Sequence, residues 1–401
     1  MSKSNKTTPN VPTLRFKRYT TEWTKINLSN YLCVSSKRNK DGRFSKEDVL
    51  SVSGELGIVN QIALLGRSYA GESVLPYHIV EKGDIVYTKS PLALYPYGII
   101  KTNRNKVGIV STLYAVYKTK DNANNRFIEH YFSLKSRINN YLKPIVRIGA
   151  KHDMKIGNNE VLENIVAFPD ISEQCEIADF LDLLDNRISV QNKIISDLKV
   201  LKKELCNRYF KSVHNDMSLG YITLKDILTE RKEYCSKDGT YTHGTLSKEG
   251  VSPKTERYDR DFLVKNEDKQ YKVTHFNDIC YNPANLKFGV ICRNTYGDLI
   301  FSPIYVTFEI ADTVYPAYIE LFLTNANFIG RIRRYEQGTV YERMAVSSED
   351  FLSYETRMPT YEEQVKFADK IQRIQDKIEL ETSFLNYLQK QRKYLLNAMF
   401  I

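Results

Sequence analysis

The chain contains one long segment twice, at a constant separation of 190 residues. Residues 169–210 align with residues 359–400 without a gap. The identical pairs are Pro169/Pro359, Glu173/Glu363, Gln174/Gln364, Ala178/Ala368, Asp179/Asp369, Ile188/Ile378, Leu198/Leu388, Lys203/Lys393, Leu205/Leu395, Asn207/Asn397 and Phe210/Phe400. A repeat of this kind requires a fold in which the same unit is built twice.

Weaker similarity continues upstream of each copy. Residues 84–87 (DIVY) correspond to residues 278–281 (DICY), and Gly98 corresponds to Gly289. We therefore predict two copies of one module, in which a variable lobe precedes a long segment. The predicted domains are 1–168 (first lobe with an N-terminal tail), 169–212 (first long helix), 213–358 (second lobe) and 359–401 (second long helix).

Both long segments have apolar residues in alternating steps of four and three, which is the heptad pattern of a coiled coil. No Pro or Gly interrupts either segment after its leading proline. We predict two helices that pack on each other; the alternative is that each helix packs on its own lobe. Polar residues, Gln191 and Lys202 or Glu381 and Arg392, interrupt each seam and favour one register. The apolar seam residues are Ile177, Leu181, Leu184, Ile188, Ile195, Leu198, Leu205, Phe367, Ile371, Ile374, Ile378, Leu385, Leu388 and Leu395.

The lobes combine short runs rich in Val, Ile, Tyr and Thr with runs of helical periodicity, which predicts an α+β fold. The strands predicted in the first lobe are 84–88, 98–101 and 106–118, followed by a helix over 126–142. Their counterparts are 278–281, 288–292 and 299–309, followed by a helix over 316–332. The predicted fold class is therefore α+β, with two tandem lobes that are each followed by a long helix.

The net charge of +10 is concentrated in the first lobe. Residues 1–168 hold 26 Lys and Arg against 13 Asp and Glu, whereas residues 213–358 hold 18 against 21. A strongly basic lobe indicates a polyanionic partner such as nucleic acid, the alternative being charge that only serves solubility. The second lobe has to rely on local arginines. The candidate DNA-binding residues are Lys37, Arg38, Lys40, Arg43, Arg67, Lys89, Arg104, Lys106, Lys151, Arg331, Arg333, Arg334, Tyr341 and Arg343.

Motifs of several enzyme classes are missing from the sequence. There is no phosphate-binding G-x-x-x-x-G-K-[ST] loop, no G-x-S-x-G elbow, and no histidine or cysteine spacing typical of a metal site. We therefore expect no catalytic residue, cofactor or metal in this chain; a nuclease that uses Asp153 and Lys155 is a weak alternative. No run of about 18 uncharged apolar residues is present, so we expect no membrane association. The polar residues 1–10 are not typical of a secretory signal, so we expect a cytoplasmic protein.

The repeated motif resembles a known family. Pro169 with Glu173-Gln174 and Ile177-Ala178-Asp179, and the same motif from Pro359 to Asp369, are similar to the segments that follow the lobes of type I restriction–modification specificity subunits. The opening residues 11–16 (VPTLRF) with Trp23 also resemble the start of such subunits. The segment Gly149–Ile156 and its partner near Gly338–Met344 resemble the segment just before each helix in that family.

The resemblance implies that each lobe recognises one half of a split, asymmetric site in double-stranded DNA. It implies that the two helices pair as an antiparallel coiled coil, set the spacing, and dock two modification subunits. Those subunits bind S-adenosylmethionine and methylate adenine, and restriction subunits use ATP with Mg. The alternative is a coiled-coil scaffold or interaction protein without sequence-specific DNA binding.

Overall fold

The computed structural model describes residues 10–92, 94–148, 154–236, 240–254, 270–337 and 345–401. The chain divides into two compact units, and the division falls inside both long helices. The first unit comprises Met1–Asn192 and Ser383–Ile401, and the second unit comprises Lys193–Thr382.

The described elements of the first unit are strands and short helices that precede a long helix. They are β1 (Thr24–Asn27), β2 (Leu32–Val34), β3 (Leu50–Ser53), β4 (Gly57–Asn60), α1 (Gln61–Leu65), β5 (His78–Val80), β6 (Ile85–Thr88), β7 (Ile100–Thr102), β8 (Gly108–Val110), β9 (Tyr114–Thr119), α2 (Asn125–Tyr131), α3 (Lys135–Leu142), β10 (Arg147–Ile148), β11 (Met154–Lys155), β12 (Ile165–Phe168) and α4 (Ile171–Asn215).

An antiparallel sheet in the order β2-β9-β6-β7 organises the first unit. Successive side chains of a strand point to opposite faces of the sheet, and the central strands β6 and β9 are buried on both faces. Val86 and Val116 face a small cluster with the β3–β4 and β5–β8 strand pairs. Tyr87 and Tyr117 face the main core, which also holds aromatic residues of α2 and the end of α8 (defined below).

The described elements of the second unit repeat this plan. They are β13 (Tyr221–Thr223), β14 (Leu228–Glu230), β15 (Tyr234–Cys235), β16 (Thr242–Ser247), β17 (Gly250–Pro253), β18 (Tyr271–Thr274), β19 (Ile279–Tyr281), β20 (Ile291–Arg293), β21 (Leu299–Phe301), β22 (Val306–Ile310), α5 (Pro316–Leu323), α6 (Ala326–Ile332), α7 (Ser348–Leu352), β23 (Glu355–Arg357) and α8 (Tyr361–Ala398). Its sheet has the order β14-β22-β19-β20, which is the first unit's order in the corresponding strands.

Other parts of the repeat are also reproduced. The pair β1–β12 that leads into α4 corresponds to the pair β13–β23 that leads into α8. Gly98 and Gly289 both have a positive φ, 85° and 77°. At Gly98 an added Cβ would lie 2.0 Å from the Thr88 carbonyl oxygen, so only glycine fits there. The α+β fold predicted for both lobes is confirmed.

The long helices begin close to their predicted prolines and have similar capping. Thr360 precedes α8, and its hydroxyl accepts from the Glu363 N–H while the Glu363 carboxylate accepts from the Thr360 N–H. This reciprocal pair is a capping box. In the first copy the residue before the helix is Asp170, and Ser172 lies in the first turn.

Four predicted elements are each interrupted, and one of them, the strand predicted over 299–309, is the two strands β21 and β22. The helix predicted over 126–142 is two helices, and Ser133 turns the chain by donating its hydroxyl to the His130 carbonyl oxygen at 2.7 Å. The helix predicted over 316–332 breaks where Asn325 caps α6 by accepting from the Asn327 N–H at 2.9 Å. The strand predicted over 106–118 is interrupted by a turn in which the Tyr114 N–H donates to the Ser111 carbonyl oxygen. Short polar side chains compete with regular structure in this way.

The glutamine that both motif copies share ties each long helix to its own lobe. Gln174 and Gln364 are buried, and each donates to the carbonyl oxygen of its leading proline, at 2.9 and 3.0 Å. Each also accepts from the backbone N–H that precedes a lobe helix, Asn124 before α2 and Tyr315 before α5. The two copies therefore use the same side chain for the same connection.

Candidate nucleic-acid interface

The basic loop, residues 37–43, is held by its central asparagine. The Asn39 side chain is fully buried, donates to the Phe44 carbonyl oxygen at 2.8 Å and accepts from the Phe44 N–H at 3.0 Å. Because Asn39 fixes the backbone, the exposed side chains of Lys40 and Arg43 leave from a defined position. This arrangement suits contacts with phosphates, which position a protein on a duplex.

The first two cations of the basic loop are held by neighbouring groups. Lys37 forms an ion pair with Glu81 at 2.7 Å, and Lys118 and Lys37 together lower the pKa of Glu81 to about 2. Arg38 donates to the Pro76 carbonyl oxygen at 2.8 Å. These contacts fix the base of the loop.

A buried histidine lies beneath two of the candidate cations. His78 is 2% exposed, and its pKa is lowered to about 4, first by burial and then by Arg38 and Lys89. Lys89 donates to the Asn158 side chain, and burial lowers its own pKa. Because His78 is neutral, it adds no third positive charge beside Arg38 and Lys89.

Arg67 and Tyr69 form an exposed stacked pair just after α1. The guanidinium carbon of Arg67 lies 4.6 Å from the centre of the Tyr69 ring, and the tyrosine is 59% exposed. The exposed Leu65 lies at the end of the same helix. Planar cationic and aromatic groups are the side chains on which nucleic-acid bases stack.

Arg104 has carboxylate partners in the structure. It donates to Glu129 at 2.8 Å and to Asp182 at 2.7 Å, and so connects the end of β7 to α2 and α4. In the second unit, Glu320, the counterpart of Glu129, accepts from Arg293 at 3.0 Å, although Arg293 occupies the position of Thr102 in the repeat. Lys106 is exposed. The role of Arg104 and Lys106 in DNA binding stays a prediction.

The arginines predicted in the second unit lie at the end of α6. Arg331 is half-buried in its last turn, while Arg333 and Arg334 are exposed in the following turn. Arg333 faces Glu336 at 3.7 Å. The candidates Lys151, Tyr341 and Arg343, most of the segment Gly149–Ile156, and Gly338–Met344 lie outside the described residues.

In the first unit the start of α4 packs antiparallel to the end of α8. Ile177 and Leu181 share a core with Leu395. Arg392 donates through Nη2 to Oδ2 of Asp185 at 3.0 Å, so a polar seam residue is paired inside this unit. Every predicted apolar seam residue in the first unit is buried or half-buried.

In the second unit the other halves of the helices pack in the same manner. The rings of Tyr209 and Phe367 stack with centres 3.6 Å apart, and Lys202 donates to the Gln375 side chain at 2.9 Å. Residue numbers rise along α4 as they fall along α8, so the direction is again antiparallel. The predicted antiparallel helix pair is confirmed.

The sequence reasoning missed several groups that the structure brings together. Arg15 donates two hydrogen bonds of 2.7 Å to Glu173, the buried glutamate of the repeated motif. His130 contacts Asp182 at 2.9 Å between α2 and α4. The presence of Glu173 in both copies of the motif indicates that its carboxylate has a partner. No sequence spacing identifies Arg15 as that partner.

The comparisons identify the same class of protein. Residues 76–200 match the model of the family described as Type I restriction modification DNA specificity domain. The structure of a type I restriction–modification system S subunit from M. genitalium superposes with a TM-score of 0.57 at 13% identity, covering 98% of this chain and 99% of that chain. A chain from a study of complex assembly and conformational transition of the type I R-M system gives a TM-score of 0.55 at 13% identity, covering 94% and 96%. No curated protein matches the sequence.

The chain therefore has the fold of type I restriction–modification S subunits, and residues 76–200 match the model of a type I DNA specificity domain. The predicted resemblance is confirmed. The specificity-domain match and the shared fold support a role in DNA recognition within a type I restriction–modification system.

Two further structural results concern the alternatives. Among the described residues, no helix combines the length and apolarity needed to cross a bilayer. The same residues include no group of three or more His, Cys, Asp or Glu arranged to hold a metal ion. Asp153 lies outside the described residues, so the nuclease hypothesis stays untested.

Proposed function

We propose that each lobe of this subunit recognises one half of a bipartite, asymmetric DNA site. The observation that carries the proposal is the repetition of one sheet order, one strand pair and one glutamine connection in both units. Two copies of one fold with different loops suit two different half-sites, because sequence is read by side chains that reach base edges. The first lobe would approach DNA with the basic loop and the Arg67–Tyr69 pair.

The helix pair would set the spacing between half-sites and dock two modification subunits. Apolar side chains of both helices remain exposed in the first unit, Leu183 at 70% and Tyr387 at 69%. Exposed apolar surface of this kind is typical of a binding surface. The study of complex assembly reported for one structural neighbour supports an assembly of several subunits.

Catalysis would belong to the partner subunits. We propose that the modification subunits bind S-adenosylmethionine and methylate adenine, and that restriction subunits join them and use ATP with Mg. This chain would contribute recognition and spacing without a catalytic residue or cofactor of its own, and would act in the cytoplasm.

The test is to co-express the chain with its modification subunit and map methylated adenines in host DNA by single-molecule sequencing. We expect a split motif with a fixed gap. Exchange of residues 1–168 for the corresponding lobe of another specificity subunit should change only one half of that motif, and exchange of residues 213–358 should change only the other half. A complex that forms but adds no sequence-specific methylation would favour the scaffold alternative.

A further inference from the structure

A cationic cavity of about 330 Å³ lies in the second unit, between the end of α4, helix α6 and strand β23. Lys211, His214, Arg331 and Arg357 line it, together with the amide of Asn325. Among the residues that the structure describes, no Asp or Glu side chain lines this cavity. We name it the α4–β23 cavity.

Arg357 is the buried member of the group. Arg357 is 5% exposed, and its Nε has no hydrogen-bond partner among the described residues. One Nη donates to the Asp216 carbonyl oxygen, and the guanidinium lies 4.4 Å from the centre of the Tyr221 ring. The Asp216 carboxylate accepts from the Ser218 hydroxyl at 2.6 Å, and its pKa is lowered first by the bonds with Ser218 and then by Arg357. Among the described residues no carboxylate is hydrogen-bonded to the Arg357 guanidinium, and a buried guanidinium without such a bond is costly unless an anion compensates its charge.

The other cations are close enough to influence each other. The pKa of His214 is lowered by burial and then by Arg331 and Arg357. Arg331 is half-buried and has no ion pair among the described residues. The cavity therefore has a positive potential, although residues 213–358 carry more acidic than basic side chains.

The duplication does not account for this cluster. The residue that corresponds to Arg357 in the first copy is Ala167, at the same position in the strand before the long helix. Lys211 and His214 lie beyond Phe210, the last residue of the aligned segment. Since the common fold forms without these cations in the first unit, they serve something that is particular to the second.

We propose that the α4–β23 cavity binds a phosphate group. Two guanidinium groups, an ammonium and an imidazole provide donors on several sides, and arginine matches the geometry of phosphate oxygens. The volume is in the range of small-ligand sites. The phosphate is either one of the DNA backbone, which rests on the proposed function, or that of a free phosphate compound. A DNA phosphate here would supply the local contact that an acidic lobe needs.

Inorganic phosphate titrated into the full chain tests the site directly. The measured quantity is the melting temperature as a function of phosphate concentration, at constant ionic strength maintained with chloride. In Arg331→Gln we expect a phosphate affinity weaker by about tenfold or more, the loss of one charge-assisted hydrogen bond. Lys225→Gln removes an exposed cation outside the cavity and should leave the affinity unchanged. Equal phosphate dependence in the wild type and Arg331→Gln would overturn the proposal.

Arg357→Lys is a second variant, with circular dichroism as the control for folding. It keeps the positive charge but loses the several N–H donors of the guanidinium group, so the phosphate affinity should fall. Both Arg331→Gln and Arg357→Lys should retain the wild-type circular dichroism spectrum. If both folded variants bind phosphate as the wild type does, the cavity is not the site.

The source of the phosphate is decided with the assembled complex and its DNA. If the ligand is a DNA phosphate, Arg331→Gln should reduce the slope of log affinity against log salt by about 0.9, and Lys225→Gln should not. Loss of phosphate binding in Arg331→Gln with an unchanged slope supports the site and assigns it to a free phosphate compound. If the wild-type complex shows no sequence-specific DNA binding, the proposed function fails, while the phosphate titration still decides the cavity.

Discussion

Replacement of the motif glutamine tests whether the repeat preserves a structural connection. Gln174 is fully buried, donates to the carbonyl oxygens of Pro169 and Asn122 at 2.9 and 3.1 Å, and accepts from the Asn124 N–H at 2.9 Å. Gln174→Met keeps the length and helix propensity of the side chain but makes none of these bonds. Three backbone groups then lose their partner, at about 1 kcal/mol each. We expect the free energy of unfolding to fall by about 3 kcal/mol.

The second copy provides a graded comparison, and the helix surface provides a control. Gln364 makes two such bonds, with Pro359 and Tyr315, so Gln364→Met should cost about 2 kcal/mol. Gln372 is exposed and bonds only to Asp376 among the described residues, so Gln372→Met should change stability by less than about 0.5 kcal/mol. Urea unfolding followed by circular dichroism gives all three values. A Gln174→Met protein as stable as Gln372→Met would refute the reasoning.

Three other predictions follow from the first unit. The pKa of His78 is lowered from 6.5 to about 4 in the folded chain, so the unfolded chain binds the proton more readily. The free energy of unfolding therefore has its full value above pH 6.5 and decreases as the pH falls toward 4, by about 2 kcal/mol at pH 5. Urea midpoints at pH 7.5 and 5 should show this loss, and His78→Gln should abolish most of it. Asp185→Arg and Arg392→Asp should each destabilise the chain by about 1 kcal/mol, and their combination should restore part of the loss in urea unfolding. If Lys40 and Arg43 each neutralise one DNA phosphate, as proposed, Lys40→Gln and Arg43→Gln should each reduce the salt slope of DNA binding by the assembled complex by about 0.9.

Each of these predictions has an outcome that contradicts it. An equally steep pH dependence in His78→Gln would assign the acid sensitivity to other groups. Additive losses in the Asp185 and Arg392 double variant would show that the two residues are not coupled. Lys17→Gln removes an exposed charge from the N-terminal segment. If this variant reduces the salt slope as much as Lys40→Gln and Arg43→Gln do, the basic loop contributes only general surface charge.

The sequence was sufficient for the features that depend on periodicity. The heptad pattern predicted two long uninterrupted helices. Runs rich in Val, Ile, Tyr and Thr predicted three of the four strands in each four-stranded sheet, but not β2 or β14. Local hydrogen bonding was harder to predict. Ser133 and Asn325 interrupt runs whose apolar spacing is continuous, because their side chains bond to the nearby backbone. The spacing of apolar residues does not reveal where polar side chains bond to the backbone and end a helix.

Hydrogen bonds between distant residues lay beyond the sequence pattern. The charge of Arg104 predicts a DNA contact, but its guanidinium bonds to Asp182, 78 residues away. Nothing in the sequence distinguishes Arg357, because a single arginine at the end of a strand is not part of any characteristic motif. A charge count shows how many cations a lobe has, whereas only the structure shows which of them already have a carboxylate partner.

The two units illustrate how a duplicated fold can diverge in function without losing stability. Both copies retain the motif glutamine, which fixes the lobe to its helix, and the glycine before the last strand of the sheet. What differs is the distribution of cations, which in the first unit lie on an exposed loop anchored by Asn39 and in the second line a cavity around Arg357. Since surface charges contribute little to stability, they can change while the buried connections cannot. Recognition could therefore change independently in each unit, as the proposed recognition of two different half-sites requires.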